Sequence, residues 1–268
     1  MSDPRTERRA LTTQAYGTDA NLAARQSIYR FVDPPTSFPA WALDRVSWDG
    51  VRAVLDVGCG NGAYFRLLRE RVGADATIVG FDLSAGMLTS ARHDGAHLAV
   101  ADVQAIPLPD ASFDVALAMH MLYHAPDVEL AIVELRRVLG PGGVLLAATN
   151  GEPHQRELVE LFGEAAGLDS VDPLRVSSWR FGLDNGAELL SAAFDDVHRE
   201  DLPATLVVPE VEPVLAYVAS TRSWREFVLP DGLTWDRCMD RVREMVEARI
   251  ERDGAMRITT HAGVFVCR

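Results

Sequence analysis

Residues 51–62, which read VRAVLDVGCGNG, contain the pattern that decides the fold. Val51–Val57 is a short run of mostly apolar and β-branched residues, which predicts a buried strand. Three glycines spaced as Gly-x-Gly-x-Gly follow directly, from Gly58 to Gly62, and predict a tight turn because glycine adopts backbone dihedrals that a Cβ would block. Apolar residues then recur at helical spacing as far as Val72. The segment therefore predicts a strand, a glycine turn and a helix.

The same alternation of strands and helices continues to about residue 150, where each further strand is followed by apolar residues at helical spacing. This pattern specifies parallel strands joined by crossover helices. The predicted fold class is α/β, with a Rossmann-like, doubly wound, mostly parallel sheet of seven strands. Those after the first are expected at Ile78–Phe81, His97–Ala101, Phe113–Met119, Val144–Thr149, within Val197–Val208 and at Gly263–Cys267.

The region after the predicted parallel strands has a different texture. We expect a core over residues 51–208, a helical cap inserted at residues 209–254 and a final core strand within 255–268. One amphipathic helix and three aromatic residues characterise the cap. The cap could roof an apolar pocket, form a dimer interface or extend the core, and the sequence leaves all three open. The aromatic residues are Trp224, Phe227 and Trp235.

Composition narrows the class of protein. The 268 residues carry a formal net charge of -13, which disfavours nucleic acid and anionic membranes as partners. Cys59, Cys238 and Cys267 are far apart and form no Cys-x-x-Cys pair, so neither a disulfide framework nor a metal site is expected. No signal peptide or membrane span is recognisable. We therefore expect a cytoplasmic protein without a bound metal.

Three carboxylates follow successive predicted strands. Asp56, Asp82 and Asp102 are each placed where a parallel strand ends, and such strand ends meet at one edge of the sheet. Together they can read a cationic amine, two ribose hydroxyls and an adenine amino group. The dinucleotide fingerprint differs, because its third glycine would fall at residue 63, which is Ala. The spacing predicts a site for a positively charged nucleoside.

At these residues the chain resembles the class I S-adenosylmethionine-dependent methyltransferases, in particular the group that acts on small molecules. The resemblance extends over roughly residues 51–150 as a series of ordered motifs, which together are more specific than a glycine loop alone. The motifs are VLDVGCGNG (54–62), GFDLS (80–84) with Met87–Leu88, ADV (101–103), IPLPD (106–110), SFD (112–114) and LRRVLGPGG (135–143).

The resemblance implies S-adenosylmethionine as the cofactor and gives each motif a place around it. The glycine loop would pack against the methionyl and ribose part, Asp56 near its amino group and Asp82 at the ribose hydroxyls. Asp56 could instead cap the loop amides, and Met87 could be a core residue. The residues implied to bind the cofactor are Asp56, Gly58, Cys59, Gly60, Gly62, Asp82, Leu83, Met87, Asp102, Val103 and His120.

Residues 1–50 resemble the N-terminal helical segment that lies over the active site in related enzymes, which would bring Tyr16 near the sulfonium. His120 and His124, after the fourth strand, are the other candidate catalytic residues, and for His124 a structural hydrogen bond is the competing interpretation. We expect the remaining histidines of the second half of the chain to lie on the surface. They are His154, His198 and His261.

The function favoured by these patterns is methyl transfer to an oxygen, nitrogen or carbon atom of a small molecule. An RNA or protein methyltransferase is the first alternative, although the segment after the fourth strand, MHMLYH, lacks the Asn-Pro-Pro-Tyr pattern of enzymes that act on planar amides. A protein that binds S-adenosylmethionine without turnover and a nicotinamide oxidoreductase are further alternatives. A homodimer is compatible with the sequence.

Overall fold

The computed structural model describes residues 7–171 and 180–268, and these form one eight-stranded sheet with helices on both faces. The strands, numbered along the chain, are ordered β4-β3-β2-β5-β6-β8-β7-β1 across the sheet. They are β1 (Val32–Asp33), β2 (Ala53–Val57), β3 (Thr77–Asp82), β4 (His97–Val100), β5 (Phe113–Met119), β6 (Leu139–Asn150), β7 (Val197–Val208) and β8 (Met256–Cys267).

The five strands from β2 to β6 are parallel, as the sequence predicts, and β8 runs antiparallel to both β6 and β7. Seven strands are the expected ones, and β1 adds a two-residue pairing with β7 at one edge. Strand β8 begins earlier than the apolar run Gly263–Cys267 suggests. Its first half, from Met256, pairs with the second half of β7 and alternates buried with more exposed residues, which a search for continuous apolar runs misses.

The helices follow the predicted alternation. In the first half of the chain they are α1 (Arg8–Ala10), α2 (Ala20–Ser27), α3 (Phe38–Leu43), α4 (Phe65–Val72), α5 (Ala85–Ser90) and α6 (Val128–Val138). In the second half they are α7 (Arg156–Ala166), α8 (Gly186–Ser191), α9 (Val211–Ala219), α10 (Arg222–Arg225) and α11 (Trp235–Asp253). Among the residues that the structure describes, no helix is long and apolar enough to cross a bilayer.

The described residues form three buried core clusters. Two lie on opposite faces of the parallel strands, so that β5 is buried along nearly its whole length, as its apolar sequence predicts. The third joins α7, α9 and α11 to the ends of β7 and β8. The amphipathic stripe of α11, which includes Cys238, Val242 and Val246, is buried in this third cluster. The helix thus extends the core.

The N-terminal segment is held against the carboxyl ends of the parallel strands. The hydroxyl of Ser84, the N-cap of α5, donates a 2.7 Å hydrogen bond to the carbonyl of Tyr16. The side-chain amide of Asn61 donates a 2.9 Å hydrogen bond to the side-chain oxygen of Gln26 in α2. Because β2 lies between β3 and β5, this edge is the place where doubly wound sheets bind their ligands.

Candidate active site

A cavity of about 690 Å³ opens at the carboxyl ends of the parallel strands, beneath the N-terminal segment. Nearly every residue that the sequence assigns to the site lines it. From the cofactor-binding set these are Asp56, Gly58, Cys59, Gly60, Asp82, Leu83, Met87, Asp102, Val103 and His120, joined by Tyr16 and His124. Gly62 is the exception, since it does not line the cavity.

The glycine loop has the backbone that its sequence requires. Gly58, Gly60 and Gly62 have φ angles of 70°, 56° and 76°, in the left-handed region that favours glycine. A Cβ on Gly62 would lie 2.5 Å from the carbonyl oxygen of Arg92, so this glycine is needed for packing. A Cβ on Gly58 would lie 2.8 Å from the side chain of Met121. The loop backbone therefore forms a bare wall of the cavity.

Asp56 is the most unusual group in this wall. Its side chain is only 1% exposed, and neither carboxylate oxygen has a hydrogen-bond partner among the described residues. Burial raises the pKa of Asp56 to about 8, and the nearby charge of Asp82 adds to the effect. It does not cap the loop amides, which was the competing interpretation. A buried carboxylate with both oxygens free fits a cationic ligand group.

Asp82 has a second task that the sequence did not reveal. One carboxylate oxygen accepts a 2.9 Å hydrogen bond from the amide of Gly60, and the other accepts a 2.8 Å bond from the amide of Ser84. Burial raises the pKa of Asp82, although both backbone bonds act to lower it. The side chain thus fixes the glycine loop to the end of β3. The remaining acceptor capacity of its oxygens faces the cavity.

Asp102 lies farther along the same edge. Its carboxylate accepts hydrogen bonds from the backbone and side-chain amides of Gln104, at 3.0 and 3.2 Å, and lies 3.9 Å from the guanidinium of Arg8. Met87 is 1% exposed and lines the cavity, so it serves as a core residue and as a wall. Burial and the charges of the two nearby aspartates raise the pKa of Cys59, which is the behaviour of a small buried residue.

The candidate catalytic residues separate into a pair and a single histidine. The phenol oxygen of Tyr16 lies 3.0 Å from Nε2 of His124, and the two rings meet edge to face. His120 also lines the cavity, with its ring 4.9 Å from that of Phe38 and a positive φ of 56°. Burial lowers the pKa of His120 to about 4. His120 is thus a weak proton acceptor, whereas His124 has a phenol as its hydrogen-bond partner in the cavity.

A polar wall that the sequence analysis missed lies beside this pair. The hydroxyl of Tyr29 bonds to His154 and accepts a 3.1 Å bond from the side-chain amide of Gln155, whose oxygen accepts a bond from Tyr217. The expectation of a surface position is wrong for His154 and only partly right for His261, which is half-buried. His154 bonds to Tyr29 and to the backbone of His261, and burial lowers its pKa to about 3.

The physical reason for that error is local. His261 lies in the half-buried start of β8, where its ring contacts Asp201 at 2.8 Å, and His154 precedes α7 in a loop folded back onto the sheet. His198, the third of these histidines, is exposed as expected. The three aromatic residues of the predicted cap have different positions. Trp224 lines the cavity, Trp235 is buried in the third core cluster and Phe227 is 59% exposed.

Comparisons with known proteins agree with this geometry. Residues 55–147 match the family described as "Methyltransferase domain". The chain is 35% identical over 121 residues to a malonyl-[acyl-carrier protein] O-methyltransferase of Serratia marcescens, covering 44% of this chain and 46% of that protein. It is 35% identical over 167 residues to a trans-aconitate 2-methyltransferase of Azoarcus sp. (strain BH72), covering 59% of this chain and 65% of that protein.

The chain thus spans about half to two thirds of the length of these curated relatives. A solved structure from Bacillus halodurans C-125, described as a methyltransferase, shares the fold with a TM-score of 0.57 at 18% identity, over 87% of this chain and 99% of that one. The family match covers the strands and loops that carry Asp56, Asp82 and Asp102. Residues 55–147 therefore match a methyltransferase domain, which supports S-adenosylmethionine as the cofactor.

Proposed function

We propose that this protein transfers the methyl group of S-adenosylmethionine to a small molecule held in the 690 Å³ cavity. The observation that carries the proposal is Asp56, a buried carboxylate without a partner among the described residues, in a cavity also lined by Asp82 and Asp102. An ionised carboxylate at such a depth is costly unless a cation compensates it. The ammonium group of S-adenosylmethionine provides that cation.

The residues around Asp56 supply the other contacts that this cofactor needs. Asp82 has acceptor capacity for ribose hydroxyls, and its bonds to Gly60 and Ser84 keep the carboxylate in one orientation. Leu83 and Met87 offer an apolar wall for the adenine, whose amino edge can be read by Asp102 and the amide of Val103. When bound, the cofactor supplies a methyl group on a positively charged sulfur, which leaves as a neutral thioether.

The chain's own contribution to the reaction is largely positioning. Methyl transfer is an in-line displacement, so the acceptor atom has to approach the methyl group opposite to sulfur while water is kept out. The N-terminal segment closes the cavity above the glycine loop, where Leu22 lies within 3.2 Å of the position that a Cβ on Gly60 would take. Tyr16 and Trp224 continue this cover, with their ring centroids 6.4 Å apart.

For an acceptor that must lose a proton, His124 is the proposed general base. Its Nε2 is bonded to the phenol of Tyr16, which lines the same cavity, so a proton can pass from the acceptor to the histidine directly or through the tyrosine. The low pKa of about 4 makes His120 a weaker proton acceptor. We propose that His120 instead supports the floor of the cavity beneath the methionyl part.

The N-terminal segment covers the cavity, which favours a small molecule over a macromolecule as the acceptor. The cavity lies beneath α2 and the residues before it, so a polymer would have to displace this segment before it could reach Asp56. The net charge of -13 also opposes the approach of RNA. The two relatives are named for different acceptors, so the acceptor of this chain has to be inferred from its own cavity.

Two measurements test the proposal. Titration calorimetry should show one S-adenosylmethionine site, with much weaker binding of nicotinamide nucleotides. Mass spectrometry should then detect S-adenosylhomocysteine when the protein is incubated with S-adenosylmethionine and a panel of phenols, amines and carboxylates. Label transfer from methyl-tritiated cofactor to bulk RNA or protein, without transfer to any small molecule, would contradict the small-molecule proposal.

A further inference from the structure

The charges along the cavity wall are distributed unevenly. Asp56, Asp82 and Asp102 line the part below the glycine loop, which suits a cofactor that carries positive charge. The part formed by α2, α9 and α10 is lined instead by two arginines, Arg25 and Arg225. This part of the wall therefore presents two cations in a protein whose net charge is -13.

Arg25 has an unfilled position for a ligand. Its guanidinium carbon lies 5.1 Å from the ring centroids of both Tyr16 and Trp224, and Nη1 donates a 3.1 Å bond to the carbonyl of Ser220. Its Nη2 is buried and has no acceptor among the described residues. A buried charged donor without an acceptor costs free energy, so a ligand that supplies one gains affinity.

Arg225 is buried to a greater degree. The residue is 6% exposed, and its guanidinium carbon lies 5.1 Å from the ring centroid of Phe162. Among the described residues it makes one long hydrogen bond, of 3.5 Å, to the carbonyl of Leu158. Burial lowers the pKa of Arg225 to about 10, which leaves it protonated near neutral pH. A buried guanidinium with so little compensation is a destabilising arrangement for an empty protein.

The other arginines of the cavity wall provide a contrast. Arg8 lies 3.9 Å from Asp102 and Arg156 lies 3.2 Å from Glu157, so each has a carboxylate partner. No carboxylate oxygen of the described residues lies within 4.0 Å of Arg25 or Arg225. The cavity thus contains two guanidinium groups that no carboxylate of the described residues neutralises.

The guanidinium groups of Arg25 and Arg225 both influence the pKa of Tyr217. Burial raises the pKa of Tyr217, and the charges of Arg25 and Arg225 are the largest influences in the opposite direction. Tyr217 lines the cavity, so the two arginines and this phenol lie around one region of its wall. A guanidinium presents its N–H groups in a plane, a geometry that matches the two oxygens of a carboxylate.

We propose that the methyl acceptor carries a carboxylate and that Arg25 and Arg225 bind it. This inference rests on the proposed function, because it concerns the acceptor of the same site. In this arrangement the cation of the cofactor faces the three aspartates and the anion of the acceptor faces the two arginines. The ammonium and sulfonium groups of the cofactor would meet like charge beside the arginines, and the carboxylate of the acceptor would meet like charge beside the aspartates.

The experiment compares carboxylates with their uncharged amides on the protein saturated with S-adenosylhomocysteine. The probes are the carboxylates phenylacetate, octanoate and citrate, the amides phenylacetamide and octanamide, and phenyl phosphate. Their binding is measured by saturation-transfer NMR and by competition. The variants are Arg25→Gln, Arg25→Lys and Arg225→Gln. Arg30→Gln is the matched control, because Arg30 lies just beyond α2, is exposed and pairs with Glu210 at 3.5 Å. Thermal unfolding of each variant shows whether it remains folded.

We expect at least one carboxylate to bind the wild-type protein at least tenfold more tightly than its amide. Arg25→Gln should remove most of this preference, Arg25→Lys should retain part of it and Arg30→Gln should leave it unchanged. Affinity for S-adenosylmethionine should change less than threefold in Arg25→Gln. If Arg225→Gln does not fold, the Arg25 variants carry the test.

Several outcomes would overturn the inference. One is failure of every carboxylate to bind, and another is equal binding of acids and amides. A loss of affinity in Arg25→Gln that is the same for both would show packing in place of charge recognition. Tighter binding of phenyl phosphate than of phenylacetate would assign the arginines to a phosphate. If S-adenosylmethionine itself does not bind, the proposed function fails; if it binds and no carboxylate preference appears, only this inference fails.

Discussion

The phenol oxygen of Tyr16 lies 3.0 Å from Nε2 of His124, although the two residues are 108 positions apart in the chain. Tyr16 reaches this place because its carbonyl accepts a hydrogen bond from Ser84, the N-cap of α5. His124 reaches it through a short helical turn after β5. The N-terminal segment and the strand ends therefore complete one site between them.

This pairing predicts that Tyr16 and His124 act as a unit in turnover. We expect Tyr16→Phe and His124→Ala each to lower kcat by about tenfold or more for an acceptor that must lose a proton. The double variant should be little worse than either single variant, because the second change removes a group that has already lost its partner. Affinity for S-adenosylmethionine, measured by calorimetry, should stay within a fewfold of the wild type.

His198→Ala is the control for that experiment, since His198 is exposed on β7. Effects of Tyr16 and His124 that simply multiply in the double variant would contradict a shared role. Unchanged kcat in both single variants would show that the hydrogen bond is structural. A parallel His120→Ala variant separates the two histidines, and we expect it to affect cofactor binding more than the pH dependence of kcat.

The buried position of Asp56 predicts that this residue destabilises the protein without ligand while it strengthens the binding of S-adenosylmethionine. Burial raises its pKa from 3.8 to about 8, so between these pH values the folded protein holds a proton that the unfolded chain releases. The free energy of unfolding therefore falls as pH rises through this range and the penalty is complete above it. Asp56→Asn removes the penalty. Without ligand, it should be more stable than wild type at pH 8.5, on the order of a few kcal/mol, with a much smaller difference at pH 4.5.

The same variant should bind S-adenosylmethionine at least tenfold more weakly, because an amide cannot compensate an ammonium group. Denaturant unfolding at the two pH values and calorimetry measure the two effects. Asp231→Asn, at an exposed site, is the control and should change neither. A stability difference that is the same at pH 4.5 and pH 8.5 would show that Asp56 does not titrate in this range.

The parallel half of the sheet could be predicted from the sequence because the patterns that specify it lie within short segments of the chain. The run Phe113–Met119 is apolar, and the strand observed there has the same bounds. Ser84 and Asp127 are residue types that favour the N-cap position, and both side chains accept the hydrogen bonds that define an N-cap of α5 and α6. Local chemistry of this kind needs no knowledge of the tertiary structure.

The acceptor side of the cavity was harder to predict from the sequence because it depends on contacts between distant segments. Gln155 links Tyr29 to Tyr217, and Tyr29 also bonds to His154. These residues come from separate segments, and no spacing in the chain connects them. The start of β8 has the alternating pattern of a half-buried strand, which is weaker than a continuous apolar run. The orphaned donor of Arg25 is likewise visible only once the neighbouring segments are in place.

The three cysteines are predicted to be unreactive. Burial raises the pKa of Cys59, and the charges of Asp56 and Asp82 raise it further. Burial also raises the pKa of Cys238, and that of Cys267 to about 12. Because the thiolate is the reactive form, an aromatic disulfide reagent at pH 8 should release less than one equivalent of thiol chromophore within minutes. Three equivalents should appear after denaturation; rapid release of one equivalent from the folded protein would contradict this account.

The close approach of Gly17 to Gly86 in α5 predicts that the N-terminal segment stays over the cavity only while residue 86 has no side chain. A Cβ at this position in α5 would lie 2.0 Å from the carbonyl oxygen of Gly17, next to Tyr16. Gly86→Ala should therefore push the N-terminal segment away while the sheet stays intact. We expect trypsin to cleave after Arg25 several times faster than in the wild type and S-adenosylmethionine to bind more weakly. In Gly140→Ala the nearest atoms are 3.6 Å away, so this variant is the matched control. Equal cleavage rates in both variants would show that the approach of Gly17 to α5 does not hold the segment closed.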